Sequence, residues 1–310
     1  MLVRLFGYRR ACRVLFLIFS LSSCFTVVAQ VFVSSSGSDN ASCGSQTSPC
    51  VSLSGALNVI GSQTDIIVEP GQYSGADCSL RFPQGRSLRI TGSGPGVTFV
   101  CSHLSSVTTV LREPNLFLAT ASTPPVVQRN IQRVAPSVCS GDWTSISGTL
   151  TIKTLNLDGI ALALCDSSLF IANDIVFSHS PVLVLGSAVE LSQVKFRGLP
   201  FNTSLPIFSA FPANGIAPRV NISDGIFANI SNGSFEASHP TIDAAYLSGA
   251  TTALNNVHFI DTTLTVSDGS IHLSSCRFQD SKATPLSLLS AMAVLDDCRF
   301  VGNSVVGQCG

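Results

Sequence analysis

Apolar and polar residues alternate over short stretches of this chain, and polar pairs break the alternation at regular intervals. The stretch Ile271–Phe278 shows the unit: Ile271, Leu273, Cys276 and Phe278 share one side, with Ser274 and Ser275 interrupting between them. A period of two marks strands, so each unit predicts two short strands meeting at a bend. The unit closes on Leu157, Phe177, Phe196, Phe227, Phe259, Phe278 and Phe300. These positions recur about every twenty residues, stretched twice to about thirty, which is the period of a stacked solenoid.

Two further columns fix the register. Five residues before each closing position stands Ile152, Ala172, Leu191, Ile222, Leu254, Leu273 or Leu295, apolar every time. The pairs that follow are Lys153-Thr154, Asn173-Asp174, Ser192-Gln193, Ser223-Asp224, Asn255-Asn256, Ser274-Ser275 and Asp296-Asp297. Asn, Asp and Ser bond to nearby backbone and tolerate turn conformations, so this column predicts stacked bends. The two stretched intervals hold Pro200, Pro206, Pro212 and Pro218 in one and Asn229 and Asn232 in the other, and loops are expected to project there. Clear repeats span 149–302, whereas 102–148, with Pro114, Pro124, Pro125 and Pro136, is irregular or inserted.

Repeats of this size must stack. Ordering about twenty residues costs roughly 20–40 kcal/mol of backbone entropy, and four inward side chains return only about 6–12. Hydrogen-bonded ladders to neighbouring repeats have to supply much of the rest, so an isolated repeat should not fold.

The N-terminal part reads differently. Residues 1–29 look like a secretory signal: Arg4, Arg9, Arg10 and Arg13 precede the apolar run Val14–Val28, and Val27-Val28-Ala29 offers small residues for cleavage before Gln30. An uncleaved anchor is the alternative. In the mature chain, residues 30–75 form a cap and first repeat. A strand at Val31–Val33 leads to a cysteine loop, then to Ser52–Ile60, whose Leu53, Ala56, Leu57 and Ile60 fit a short helix with Ser52 as N-cap, and then to the strand Asp65–Val68.

These segments carry a resemblance. VFVSSSGSDNASCGS through SPC, the helix SLSGALNVI and DIIVEPGQYSG are similar to the opening of secreted right-handed parallel β-helix proteins of the pectin-lyase-like kind, including those likened to polymorphic outer-membrane proteins. Gly186-Ser187-Ala188-Val189 and Phe300-Val301-Gly302-Asn303 echo that family's repeat phrases. The resemblance implies an all-β fold, a right-handed parallel β-helix with a short N-terminal helix that closes the open end of the coil. Capping is physically required, because the terminal repeats of a solenoid expose apolar core.

Composition narrows the chemistry. Only 11% of residues are charged and the formal net charge is -1, which excludes a nucleic-acid surface built on clustered Lys and Arg. An export signal permits disulfides, and sequence order suggests Cys43–Cys50, Cys78–Cys101, Cys139–Cys165 and Cys276–Cys298, leaving Cys309 over. No Cys-x-x-Cys spacing suggests a metal, and no cofactor is expected. Glycosylation sequons stand at Asn40, Asn202, Asn221, Asn229 and Asn232.

Catalytic residues are not assignable. Enzymes of this fold need converging carboxylates, or acidic calcium ligands with a cationic base. The adjacent pair Asp296-Asp297 falls in the bend column, and the Gly-His-Gly and Arg-Ile-Lys phrases of the family's polygalacturonases are missing. One outward column is largely cationic: Lys195, His258, Arg277 and Arg299 each precede a closing Phe, with Val176 and Ile226 in two other repeats. It reads either as a stripe for an acidic polysaccharide or as amphipathic side chains pairing with Asp280, Asp296 or Asp297.

The functional expectation is a secreted, noncatalytic structural or adhesion module at the cell surface or in extracellular matrix. The alternatives are a polysaccharide lyase or glycoside hydrolase of the same fold and a noncatalytic carbohydrate-binding module. Partners would be extracellular polysaccharide or a cell-surface protein, with a membrane involved only if the signal is uncleaved or the full chain is longer. Ten residues follow Phe300 without an evident cap, so the chain is expected to be truncated there or covered by a partner.

Overall fold

A computed structural model of the chain describes residues 30–62, 64–101, 138–198, 206–228, 245–282 and 284–304. The signal-like segment, most of 102–148, and the sequons at Asn202, Asn229 and Asn232 lie outside the described residues. The described chain is all-β, with strands arranged almost entirely as long parallel sheets.

Before the clear repeats come β1 (Gln30–Val33), the helix α1 (Leu53–Val59), β2 (Asp65–Val68), β3 (Gly71–Tyr73), β4 (Ser87–Gly92), β5 (Val97–Val100) and β6 (Thr144–Ile146). Three long strands follow with short ones between them: β7 (Thr149–Asp158), β8 (Leu162–Cys165), β9 (Leu169–Ser178), β10 (Val182–Leu185) and β11 (Ala188–Arg197). Beyond them each repeat contributes three short strands. These are β12 (Phe208–Phe211), β13 (Arg219–Ser223) and β14 (Ile226–Ala228), then β15 (Ala245–Ser248), β16 (Thr251–Asn255) and β17 (His258–Ile260). The last two sets are β18 (Leu264–Ser267), β19 (Ser270–Ser274) and β20 (Arg277–Gln279), then β21 (Leu286–Leu289), β22 (Met292–Asp296) and β23 (Arg299–Val301).

A 16-stranded sheet collects β1, β2, β4, β7, β9, β11, β13, β16, β19 and β22 in one path, with β3, β5, β14, β17, β20 and β23 paired beside it. A 7-stranded sheet collects β6, β8, β10, β12, β15, β18 and β21. The chain therefore leaves the large sheet, lays one strand in the small sheet and returns, once per repeat.

Left-handed residues make the corners. The second member of every polar pair has positive φ: Thr154, Asp174, Gln193, Asp224, Asn256, Ser275 and Asp297, all between 48° and 55°. A second corner follows the closing residue, at Gly159, His179, Gly198, Asp261, Asp280 and Gly302, and a third precedes the large-sheet strand, at Ser147, Ser167, Gly186, Gly249, Asp268 and Ser290. Gly, Asn and Asp bear this conformation at least cost, which is why polar pairs mark it in the sequence. The ladder also continues through the corners. Asn256 N–H donates to Ser274 O at 2.9 Å, Asp261 N–H to Gln279 O at 2.9 Å and Asp268 N–H to Leu289 O at 2.9 Å, each partner lying one repeat further on. Corner amides are thereby satisfied without loop structure of their own.

The core is a set of side-chain columns. Phe177, Phe196, Phe227, Phe259, Phe278 and Phe300 stack with ring centroids 4.6–5.0 Å apart and planes within 12° of parallel. Strand register extends the column upward through Leu157, Phe99 and Tyr73. Beside it Ile152, Ala172, Leu191, Ile222, Leu254 and Leu273 are all buried, while Leu295 in the final repeat is 44% exposed. The segment Ile271–Phe278 takes the faces read from its sequence: Ile271, Leu273, Cys276 and Phe278 are buried and Arg277 is exposed.

At the other end α1 packs against β1, and its N-terminus gathers two carboxylates. Ser52 caps it, its hydroxyl accepting from Gly55 N–H at 2.9 Å. Asp39 accepts from Val51 N–H at 2.9 Å and also from the Ser52 hydroxyl. Buried Asp77 accepts from Ser54 N–H at 3.1 Å. Burial pushes the Asp77 carboxyl up to about 6, with the nearby Asp39 charge adding to the shift.

Candidate functional site

Three of the four cysteine pairs read from the sequence are bonded: Cys43–Cys50, Cys78–Cys101 and Cys139–Cys165. Bonds of this kind belong to an oxidising, extracellular setting. The fourth expectation is corrected, for Cys276 and Cys298 are free thiols. Cα separation alone favours a bond, but paired positions on adjacent parallel strands stand about 4.8 Å apart with parallel Cα–Cβ bonds, whereas a disulfide draws its Cβ atoms to about 3.5–4.5 Å. Each thiol instead meets backbone carbonyls, Cys276 those of Leu254 and Ser274 at 3.4 Å and Cys298 those of Leu273 and Asp296 at 3.6 Å. Burial pushes the Cys276 thiol up to about 11.

Asp39, Cys43 and Cys50 bring metal-ligating atoms together, but both sulfurs are consumed in the disulfide and the Asp39 carboxylate is engaged by α1. Most of the other aspartates hold the backbone or an ion pair. Asp166, Asp174, Asp224, Asp261, Asp268, Asp280 and Asp297 all occupy left-handed corners, so the pair Asp296-Asp297 is explained by turn geometry. Asp65 is bound to Arg89 at 3.0 Å and Asp158 to His179 Nδ1 at 2.9 Å.

Sequons fall in two settings. Asn40 is exposed in the cysteine loop, where its Oδ1 accepts from both the backbone and hydroxyl of Ser42 at 2.9 and 2.8 Å. Asn221 is exposed on the outer face of β13.

The cationic residues form one ladder. Lys195 pairs in register with Ile226, Ile226 with His258, His258 with Arg277 and Arg277 with Arg299. Lys195, Arg277 and Arg299 are exposed and His258 is half-buried. Pairing with Asp280, Asp296 or Asp297 is not what holds them: among the described residues none of these acids forms an ion pair with Lys195, His258, Arg277 or Arg299. Asp280 instead accepts from Gln279 Nε2 at 2.8 Å.

Arg197 and a hollow at the upper end of this face were missed in the sequence. Arg197, exposed on the other side of Phe196, adds a cation beside Lys195 and donates to Ser178 Oγ at 2.8 Å. Strict alternation around an inward Phe was enough to place it outward. The column also continues above Lys195 through Val176 and Asn156, which line an open hollow of about 480 Å³ with Asp174 and the loop Gly92–Val97. Val176 and Asn156 stand one residue before Phe177 and Leu157, so the column itself was legible; the hollow was not, because the loop Gly92–Val97 that closes it lies outside the clear repeats.

Among the described residues no helix is long and apolar enough to cross a membrane. Comparisons with protein-family models, curated proteins and solved structures give no match to this chain.

Proposed function

We propose that the chain is a right-handed parallel β-helix of the pectin-lyase-like kind, capped by α1, secreted, and serving as a noncatalytic structural or adhesion module at the cell surface or in extracellular matrix. Parallel in-register stacking, one small-sheet strand per repeat and three corner columns support the solenoid; three disulfides support an extracellular location. The observation that carries the noncatalytic reading is the use of aspartates as corner residues. Seven of them serve the backbone at left-handed positions, and the two open hollows, beside Gly92–Val97 and beside Asp39, are each lined by a single carboxylate, Asp174 and Asp39. A solenoid of this kind offers long, rigid outward columns, and these suit repeated weak contacts better than a single reacting centre.

The test is incubation of the secreted protein with a panel of plant, microbial and animal polysaccharides, with and without calcium, followed by assay of new reducing ends and unsaturated products. No release is expected while surfaces coated with the protein retain cells or matrix. Reproducible cleavage would replace this reading with the lyase or hydrolase alternative.

A further inference from the structure

We infer that the outward column Lys195, His258, Arg277 and Arg299, with Arg197 beside it, is a docking line for a linear anionic polysaccharide bearing carboxylate or sulfate groups. The inference rests on the extracellular noncatalytic reading above and names the ligand of that module. In-register pairing places neighbouring positions of this column about 4.8 Å apart, so Lys195, His258, Arg277 and Arg299 lie along a line of about 19 Å, with Ile226 filling the one apolar step. Like charges at this spacing repel one another. None of the four is ion-paired among the described residues, and Asp261, Asp280 and Asp297, two or three residues away from His258, Arg277 and Arg299, sit at left-handed corners. Two adjacent arginines, with an imidazole and a lysine further along the same rigid face, are therefore complementary to a polymer with charges at regular intervals. Guanidinium groups at Arg277 and Arg299 match carboxylate or sulfate in forked geometry.

Two observations favour polysaccharide over single-stranded nucleic acid, the other linear polyanion. Among the described residues of this face only Phe300, at its last repeat, exposes a ring, too few for successive bases to stack on. The three disulfides place the surface outside the cell. The hollow above Val176 is left out of the anion site because Asp174 lines it.

The experiment uses the secreted protein and immobilised heparin and alginate, with neutral dextran and single-stranded DNA of matched charge as comparisons. Heparin and alginate should be retained, dextran should not, and raising the salt concentration should weaken binding. Arg277→Ala with Arg299→Ala should bind roughly tenfold more weakly, and Lys195→Ala about threefold, from the modest worth of each exposed charge contact. Arg219→Ala, which removes a cation from the outer face of β13, should bind as the parent does. Unchanged affinity in the Arg277/Arg299 double variant would overturn the proposal, as would salt-independent binding, an equal loss in Arg219→Ala, or DNA bound as tightly as the glycans. Because these side chains are exposed, each variant is checked for an unaltered melting temperature. Shortened heparin or alginate chains would sink the noncatalytic reading but leave the docking line standing; lost binding with intact chains would do the reverse.

Discussion

Replacing Phe227 by Ala tests the stack where its neighbours are best defined. The ring is fully buried and lies between Phe196 at 4.6 Å and Phe259 at 5.0 Å, both nearly parallel to it. Truncating a buried Phe costs about 3–5 kcal/mol, and loss of two stacked neighbours places this site toward the upper end, near 5 kcal/mol. Phe300 is a control within the same column: it is 48% exposed and has one ring neighbour, so Phe300→Ala should cost about 1–2 kcal/mol. Denaturant midpoints give the totals, and residue-resolved hydrogen exchange gives their location. Stability in a stack is carried by neighbouring repeats, so Phe227→Ala should lower protection in β13, β14, β16 and β17 and leave β1 and β2 protected. Equal costs for the two variants, or a uniform loss of protection reaching β1 and β2, would refute the column as a chain of neighbour contacts.

Three further outcomes follow from particular side chains. The Asp77 carboxyl is raised to about 6, so the folded state holds its proton longer than the unfolded chain; that stability is fully present below about pH 3.8 and is lost as pH rises toward 6. Asp77→Asn should therefore stabilise the protein by about 2 kcal/mol at pH 7 and by almost nothing below pH 4, read from denaturation at each pH, whereas destabilisation confined to neutral pH would show that α1 favours the anion. Cys276, with its thiol raised to about 11, should react with iodoacetamide at pH 8 at least about a hundredfold more slowly than an exposed cysteine, and peptide mapping that recovered a 276–298 disulfide would contradict the free-thiol assignment. Gly159 has φ +70 and a Cβ there would lie 2.1 Å from Cys101 O, so Gly159→Ala should cost about 2–4 kcal/mol, while Ser275→Gly, which relieves a left-handed non-glycine corner, should stabilise by about 1 kcal/mol.

Much of the stack was legible because its determinants are local. Inward columns need apolar residues at fixed offsets from a bend, and bends need residues that tolerate positive φ, so Leu254, Asn256 and Phe259 announce one repeat by themselves. Tyr73 and Phe99 did not reveal that they share the column of Phe177, since the interval between Phe99 and Leu157 contains the irregular segment and no constant spacing survives it. The small sheet was also hidden. Both faces of β8, β10 and β12 are buried, so their near-continuous apolar runs carry no alternation. Side-chain charge pairing was the hardest to read, because Arg277 and Asp280 are three residues apart in sequence yet Asp280, at a left-handed corner, accepts from Gln279 and not from Arg277.

The cationic line exists only if repeats stack in parallel register, and that is measurable directly. Asn156 and His258 are joined by four successive in-register pairings, through Val176, Lys195 and Ile226. Spin labels at Asn156→Cys and His258→Cys, with Cys276, Cys298 and Cys309 replaced by Ala, should give a single narrow pulsed-EPR distance centred near 19 Å, broadened only by the label tethers. A distance beyond about 35 Å, or two separate distances, would contradict the in-register stack and with it the docking line.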